Sequence, residues 1–528
     1  MSILYAATSV VRHISAPSAA GAPRFRSLLW IGSCTLSPIM PRHLPALVGA
    51  LVFLQIGAMG APAAQTGQPA PEATPKLRPE QFKVGDPSAL SRRLAATLEW
   101  ETDAYLGEYE RHGHRDSHWD DAVESALRLL ARDHAHDPLR PADLNDQAWY
   151  ALQQATTAGC DDSLIEYLNA ELSRQDLPKR DAAIHIRNAA LRLEKSRYSA
   201  YRRGSALIGA ASALYQASRG MTKADWDQTW PEIDRLLDRS LMLVAEVARD
   251  KKMPDDVLLQ YVNTNNSVWV DTMKSDRRVA FDFAYAAIAA ERNAKDPILP
   301  LLRTRFYALY AWDIRGTDLA SKVKDEAWRP FKERLHEAED AAAEAVALGS
   351  TDAVIPRSMS QVVKGLRGNL DELEAWFALG VAVDPGDRSW YEAKLDWLMP
   401  KWYGSIDEAV DYVNAARRTG SWNLRVPLLV VDLYDQLRLA IDLPQSTSLF
   451  DLPGACDDIL PVYDAFLKRY PNAGWDRGRY VLTLADCRQW KEADRQMNLI
   501  APDRLRVGAF GGRDAYDTKR KLIALHLH

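Results

Sequence analysis

The sequence predicts an all-α protein in which antiparallel helical hairpins stack into an α-solenoid. Three observations favour this fold class. From about residue 88 onward, apolar residues recur with a period close to 3.6, the period of an amphipathic helix. The breaks between periodic segments are short and carry Gly, Pro or Asn. Sustained strand-like alternation and Gly-rich phosphate loops are missing from this 528-residue chain, which is typical of stacked helix pairs.

A secretory signal peptide is predicted at residues 40–64. It begins with a short basic head at Met40–His43, continues with an apolar stretch from Leu44 to Gly60, and ends in small residues. The apolar stretch is shorter than the ~20 residues that a membrane-spanning helix needs. We therefore expect a periplasmic or secreted protein with no integral membrane span after cleavage.

The segments around the signal peptide have different predicted roles. Residues 1–39 resemble no functional element and are not expected to belong to the functional protein. Residues 65–87 are rich in proline among small and polar residues, which is typical of a tethering linker. The helical body then divides into an N-terminal helical-repeat region, 88–365, and a C-terminal region, 366–528.

Charge excludes one class of partner. The net charge of the chain is −5, but residues 1–64 contain four arginines and no acidic residue. The remaining 62 basic and 71 acidic residues leave the body at −9. Such an acidic body is a poor electrostatic match for nucleic acid, so no nucleic-acid partner is expected. The 47 % of hydrophobic residues also exclude a wholly disordered chain.

Helices follow one another along the body. Leu90, Leu94 and Leu98 begin the first helix, and Ser117–Asp120 caps the second. Further helices are predicted at 142–158, 162–173, 180–217, 224–249, 276–294, 298–313, 324–348, 370–383, 389–399, 405–418, 424–440, 457–470, 476–489 and 491–500.

Several of these helices resemble tetratricopeptide repeats. Asn369–Pro385 is similar to the second helix of such a repeat with its closing Asp-Pro. The Gly-x-x-Asp-Glu pattern of Gly368–Glu372 recurs 36 residues later at Gly404–Glu408. The resemblance covers about 365–505. It implies tetratricopeptide-like helix pairs whose apolar stripes are buried by stacking on their neighbours.

A second resemblance is more specific. The segments Trp312–Gly316, Trp328–Leu335 and Leu398–Ser405, read together, are similar to an uncharacterised bacterial family of secreted or envelope proteins with tetratricopeptide-like helices. It covers about 140–505 and implies an α-solenoid but no assigned activity. A possible partner-binding or packing signature comprises Arg315, Gly316, Trp376, Trp402, Gly404 and Ser405.

The cysteines of the helical body predict one disulfide. Cys456 stands just before one predicted helix and Cys487 near the end of the next, about equally far from the intervening turn. Export supplies an oxidising compartment, so we expect the two to be bonded. The alternative is a pair of buried free thiols. Cys160 is left unpaired and is expected to be buried.

Histidines do not predict a metal site. His112, His114 and His118 lie in one turn, and His134 and His136 follow the next helix. That helix separates the two groups by about 24 Å, so they cannot share one ion. A solvated polar turn is favoured for the first group, and neither a metal nor a cofactor is predicted.

Tryptophans and paired acids are also assigned structural roles. Aromatic residues at helical spacing usually pack between helices, although a groove for sugars or peptides remains an alternative. This applies to Trp226, Trp230, Trp376, Trp390, Trp397 and Trp402. The pairs Asp161–Asp162, Asp255–Asp256 and Asp457–Asp458 each open a helix, where carboxylates cap backbone N–H groups. No catalytic residue is therefore predicted.

Two functions from different classes remain. The first is an exported helical-repeat scaffold that binds a protein or peptide partner in the cell envelope without catalysis. The alternative is an all-α toroid enzyme acting on cell-wall or extracellular polysaccharide. An open superhelix would favour the scaffold, whereas a closed ring of helices with acids at its centre would favour the enzyme. A structural component of an envelope assembly is a third reading.

Overall fold

The computed structural model describes residues 76–219, 221–273, 276–316, 320–440 and 448–527, and the predicted signal peptide lies outside these ranges. Every regular element in them is helical, so the all-α prediction is confirmed. The helices are α1 (Pro87–Thr102), α2 (Glu108–His112), α3 (Asp120–His134), α4 (Leu144–Thr157), α5 (Ser163–Ser173), α6 (Lys179–Glu194), α7 (Ala200–Ser218), α8 (Lys223–Met242), α9 (Val244–Ala248), α10 (Asp255–Met273), α11 (Arg277–Glu291), α12 (Ile298–Arg315), α13 (Asp325–Ala347), α14 (Val354–Leu366), α15 (Leu370–Val383), α16 (Ser389–Leu398), α17 (Ile406–Arg418), α18 (Leu429–Ala440), α19 (Ala455–Arg469), α20 (Gly474–Asp486), α21 (Trp490–Asn498) and α22 (Arg513–Leu525). None of these described helices has both the length and the apolar content of a membrane span.

Three of the predicted helix boundaries are wrong. The single helix predicted at 180–217 is two helices, because Ser199 caps α7 by accepting a hydrogen bond from the Arg202 N–H. The predicted cap at Ser117–Asp120 is also absent, since α3 begins after Trp119 without a side-chain cap. The helix predicted at 224–249 is interrupted after Met242.

Three helices of at least 13 residues, α10, α14 and α22, lie outside the predicted helix ranges, although Asp255–Asp256 was expected to open a helix where α10 begins. Of these, α10 and α14 bury polar residues on the face that packs inward, which interrupts the apolar period. Asn265 and Asn266 are 1 % and 3 % exposed in α10, and Ser358 is fully buried in α14.

Helices that are neighbours in sequence pack together along most of the chain, as α6 does on α7, α12 on α13 and α20 on α21. Arginine–aspartate pairs add polar links between more distant segments. These pairs are Arg357–Asp387, Arg388–Asp432 and Arg425–Asp476. They span 30, 44 and 51 residues and follow one another along the second half of the chain.

The end of the helix array packs on its beginning. The Arg506 guanidinium donates to Asp146 at 3.2 Å and to Asp176 at 2.8 Å, on α4 and just after α5. The Gly508 N–H also donates to Asp176, and the Trp475 N–H donates to Asp146. The array of described helices therefore closes on itself.

The segment before α1 belongs to the core, which corrects the linker prediction for its described end. Leu77 and Phe82 are 2 % and 3 % exposed, and the N–H groups of Lys76 and Leu77 donate to Glu339. Further on, Arg93 in α1 donates to the Thr351 carbonyl at 2.7 Å. Two isolated apolar residues are too few to produce a period, so composition alone suggested a tether.

Candidate functional site

Residues from the family-like segments converge at one place in the fold. The ring centroids of Trp312 and Trp402 are 5.7 Å apart and the rings are nearly perpendicular. The Arg315 guanidinium carbon lies 5.1 Å from the centre of Trp402 and 5.8 Å from that of Trp328. These distances fit cation–π contacts. We call Trp312, Arg315, Trp328, Lys364 and Trp402 the tryptophan cluster.

A second cation of the tryptophan cluster was not singled out from the sequence. Lys364 Nζ lies 4.3 Å from the centre of Trp402 and 4.8 Å from that of Trp312. Asp396 accepts from Lys364 at 3.2 Å and contacts Lys401 at 2.8 Å. Burial opposes ionisation of Asp396, but the two lysines lower its pKa to about 2. The cluster is therefore charged at neutral pH.

The small residues of the signature shape the turns beside the tryptophan cluster. Gly316 follows α12 with φ of 73°, a left-handed conformation that favours glycine. At Gly404 a Cβ atom would lie 2.1 Å from the Leu398 carbonyl oxygen, so a larger residue would clash. Ser405 accepts from the Glu408 N–H and caps α17. These three residues position the aromatic rings through the backbone.

Trp376 lies outside the tryptophan cluster. It is fully buried, and its ring centroid lies 6.2 Å from that of Phe82. Trp390 is 2 % exposed, and the indole N–H groups of both find no acceptor among the described residues. Trp226 and Trp230 are half-buried, with centroids 5.2 Å apart. Trp376 and Trp390 therefore serve packing.

Helix α11 carries two exposed apolar side chains. Val279 and Phe283, one helical turn apart on α11, are 59 % and 45 % exposed. The Tyr310 hydroxyl on α12 donates to Asp276, the N-cap of α11, which joins the two helices. The Arg334 guanidinium of α13 lies 3.2 Å from the centre of the Tyr310 ring. We call the exposed side chains of Val279 and Phe283, with Tyr310 at the N-terminus of α11, the aromatic face.

The histidines of the predicted polar turn have separate partners. His114 pairs with Asp161. His118 pairs with Asp116, only two residues away, at 2.5 Å. Both histidines are more than half exposed. Their ring nitrogens therefore do not share a common point.

A different histidine lies in a cluster that the sequence did not reveal. One ligand atom from each of His136, Asp384 and Asp387 lies within 4.8 Å of the others, and His136 Nδ1 is 3.0 Å from Asp384. Burial disfavours the imidazolium, but the two carboxylates raise the pKa of His136 to about 9. We call these three residues the His–Asp cluster.

Backbone geometry fixes the two loops that meet in the His–Asp cluster. His136 follows α3 with φ of 49°. A Cβ atom at Gly386 would lie 1.5 Å from the His136 carbonyl oxygen, so only glycine permits this approach. His136 and Asp384 are 248 residues apart, and no spacing rule connects them. The Asp384–Asp387 turn, Asp-Pro-Gly-Asp, is the local signal that could have drawn attention to this place.

Unpaired carboxylates surround the His–Asp cluster. Desolvation and the neighbouring carboxylates of Asp352 and Asp384 raise the pKa of Asp256 to about 7, although its side chain is exposed at the surface. Burial and Asp352 likewise raise the pKa of Asp255 to about 6. Within the described ranges, none of Asp255, Asp256 and Asp352 forms an ion pair with a basic side chain. The paired acids that open α10 are thus only partly ionised at neutral pH.

The described residues contain one disulfide and one free cysteine. Cys456 and Cys487 are bonded, with their Cα atoms 5.9 Å apart, at the start of α19 and just after α20. Cys160 is free and buried, and burial raises the pKa of its thiol to about 11. A thiol of this kind is a poor nucleophile at neutral pH.

No protein-family model matches this chain, and no curated protein is significantly similar to it. We therefore describe the class of protein from its fold and its candidate sites. It is an all-α protein in which early and late helices of the described array are in contact, with an aromatic face at α11 and a His–Asp cluster where α3 meets the loop before α16.

Proposed function

We propose that the protein is an exported, tetratricopeptide-like helical scaffold that binds a protein or peptide partner in the cell envelope. The aromatic face is the observation that carries this proposal. It has exposed Val279 and Phe283 on α11, whose N-cap Asp276 accepts a hydrogen bond from the Tyr310 hydroxyl, and the Arg334 guanidinium lies on the Tyr310 ring. Trp, Tyr and Arg are the residues most enriched at binding hot spots, and adjacent exposed apolar side chains mark interaction surfaces.

Repeated capping chemistry supports the tetratricopeptide-like part of the proposal. The Asn369 side chain accepts from the Glu372 N–H at the start of α15. Ser405 accepts from the Glu408 N–H in the same way at the start of α17, 36 residues later. Equivalent positions therefore begin equivalent helices, as in a repeat.

Export rests on the signal pattern at residues 40–64 and agrees with the disulfide. The mature protein is expected to begin near Ala64 or Gln65. N-terminal sequencing of the protein from fractionated cells checks this. A cytoplasmic protein that retains residues 1–39 would contradict export.

A matched pair of variants tests the binding surface. Phe283→Asp places a charge at the centre of the aromatic face, whereas Leu139→Asp places the same charge at an exposed apolar residue elsewhere. Partners are first captured from envelope extract with the native protein, and the affinity of each purified partner is then measured. We expect Phe283→Asp to weaken binding at least tenfold and Leu139→Asp to leave it unchanged. Equal affinity of both variants would reject the aromatic face as the binding surface.

The polysaccharide enzyme remains a second candidate because the array closes and acids gather around His136. The elevated pKa of Asp256, about 7, would suit a general acid. However, His136 and Asp387 are already paired with Asp384 and Arg357. Release of reducing ends from cell-wall or extracellular polysaccharide, lost in Asp256→Asn, would replace the scaffold proposal with the enzyme.

A further inference from the structure

We propose that the His–Asp cluster binds one divalent transition-metal cation, of the kind represented by Mn²⁺ or Zn²⁺. The cluster offers one imidazole nitrogen and two carboxylates whose ligand atoms lie within 4.8 Å of one another. Two ligand atoms that bind one ion at about 2.1 Å each lie at most ~4.2 Å apart. Small side-chain rotations therefore suffice to bring all three onto one ion.

The ligand groups are already oriented by other parts of the fold. Asp387 accepts from the Ser389 N–H and from the Ser389 hydroxyl, both at 2.8 Å, and also from Arg357. His136 is held against Asp384 and by the close backbone approach at Gly386. Hydrogen bonds of this kind orient ligands in known metal sites and reduce the entropy lost on binding.

Further carboxyl groups lie near the His–Asp cluster. Asp255, Asp256 and Asp352 lack basic partners, as described above. Glu101 is 1 % exposed, and its charge interacts with those of Asp256 and His136. Its Oε2 atom accepts no hydrogen bond, and Arg202 Nη2 lies 3.8 Å away.

Three arginines also reach this place, and Arg93 among them donates to the Thr351 carbonyl. Arg357 pairs with Asp387, and Arg140 contacts Asp133 at 3.3 Å. The Asp384 carboxylate, whose ion-pair partner in the described ranges is His136, remains for an added cation. An imidazole beside carboxylates favours Mn²⁺ or Zn²⁺ over Ca²⁺ and Mg²⁺, which prefer oxygen ligands alone.

The test titrates the full exported protein, without an affinity tag and freed of metal, with Mn²⁺, Zn²⁺, Ca²⁺ and Mg²⁺ in a calorimeter. We expect one Mn²⁺ or Zn²⁺ per chain and a higher thermal unfolding midpoint in its presence. Asp384→Asn and His136→Asn are each expected to weaken binding at least ~10-fold. Asparagine is chosen at position 136 because it tolerates the left-handed backbone there.

Two control variants distinguish this site from other side chains that could bind a metal ion. The double variant His114→Ala/His118→Ala removes the exposed histidine turn, and Asp296→Asn removes a helix-capping carboxylate that pairs with Arg292. Both are expected to bind metal as the native protein does. Absence of binding at millimolar Mn²⁺ and Zn²⁺ would overturn the proposal, as would selective binding of Ca²⁺ or Mg²⁺. Full affinity in a folded His136→Asn variant would do the same, even if Asp384→Asn fails to fold.

Discussion

Arg506 and Asp146 are 360 residues apart in the sequence, and their side chains meet at 3.2 Å in a buried salt bridge. Asp176 accepts from the same guanidinium at 2.8 Å, so one arginine lies between two carboxylates. All three side chains are no more than 13 % exposed. This contact joins the last part of the helix array to α4 and α5.

Removal of this arginine is expected to destabilise the whole chain. Arg506→Ala leaves Asp146 and Asp176 buried without their cation, and breaking a buried pair in this way costs about 3–5 kcal/mol. The free energy of unfolding from urea titration measures the loss. Arg495→Ala is the control, because the Arg495–Glu492 pair is exposed to solvent and should contribute little to stability. Similar losses in both variants would show that the closing contact has no special role.

Stability is expected to fall as pH rises from about 5 to 8. Burial raises the pKa of Asp146 to about 6 and that of Glu101 to about 7, although Arg506 and Arg202 oppose this. Above the unfolded pKa values, near 4, the native state binds more protons than the unfolded state, so rising pH favours unfolding until the native pKa values are passed. The loss between pH 5 and 8 is on the order of 1–3 kcal/mol for each group.

Urea unfolding at several pH values between 5 and 8 measures this dependence. Glu101→Gln and Asp146→Asn are each expected to flatten part of the curve, because an amide does not titrate. A native protein whose stability rises across this range would contradict the assignment.

The helices that the sequence predicts correctly are those whose capping and apolar residues are close together in the chain. The prediction of α15 at 370–383 matches its observed bounds, because Asn369 caps its start and apolar residues follow at helical spacing. By contrast, α10 buries Asn265, whose side-chain amide donates to the Ser240 hydroxyl, 25 residues away. A polar residue satisfied by a distant partner looks like a surface residue in the sequence.

The tryptophan cluster and the His–Asp cluster also depend on residues that are far apart in the sequence. Arg315 and Trp402 belong to short patterns that can be recognised locally, but nothing in those patterns places Lys364 between two tryptophans. The His–Asp cluster depends on chain closure, which brings His136 to Asp384 across 248 residues. Long-range contacts of this kind leave no spacing in the sequence.

The Cys456–Cys487 bond is expected in protein from the native compartment. Peptide mapping without reductant should link the two peptides, and finding both thiols open to alkylation would contradict the bond. Cys456→Ser/Cys487→Ser should lower the free energy of unfolding by about 3–4 kcal/mol, because the bond closes a loop of 31 residues in the unfolded chain. Cys160→Ser is unsuitable as a control, since it places a hydroxyl in the core, so reduced native protein serves instead.

Two tryptophan variants separate scaffold from binding surface. Trp376→Ala is expected to cost about 3–5 kcal/mol of stability, because Trp376 is fully buried and its removal leaves a cavity. Trp402 is half-buried, and its loss removes the contacts with Arg315 and Lys364. Trp402→Ala should therefore cost about 1–2 kcal/mol and, if the tryptophan cluster contributes to binding, weaken the captured partner.

Chemical unfolding and partner affinity are measured on both variants at a temperature where each is folded. Folded Trp376→Ala should retain the native affinity. Unchanged stability in Trp376→Ala would show that the ring is not part of the core. A tryptophan that lines a groove contributes to ligand contact rather than to packing. Unchanged stability in either variant, together with lost polysaccharide turnover, would therefore favour the polysaccharide enzyme.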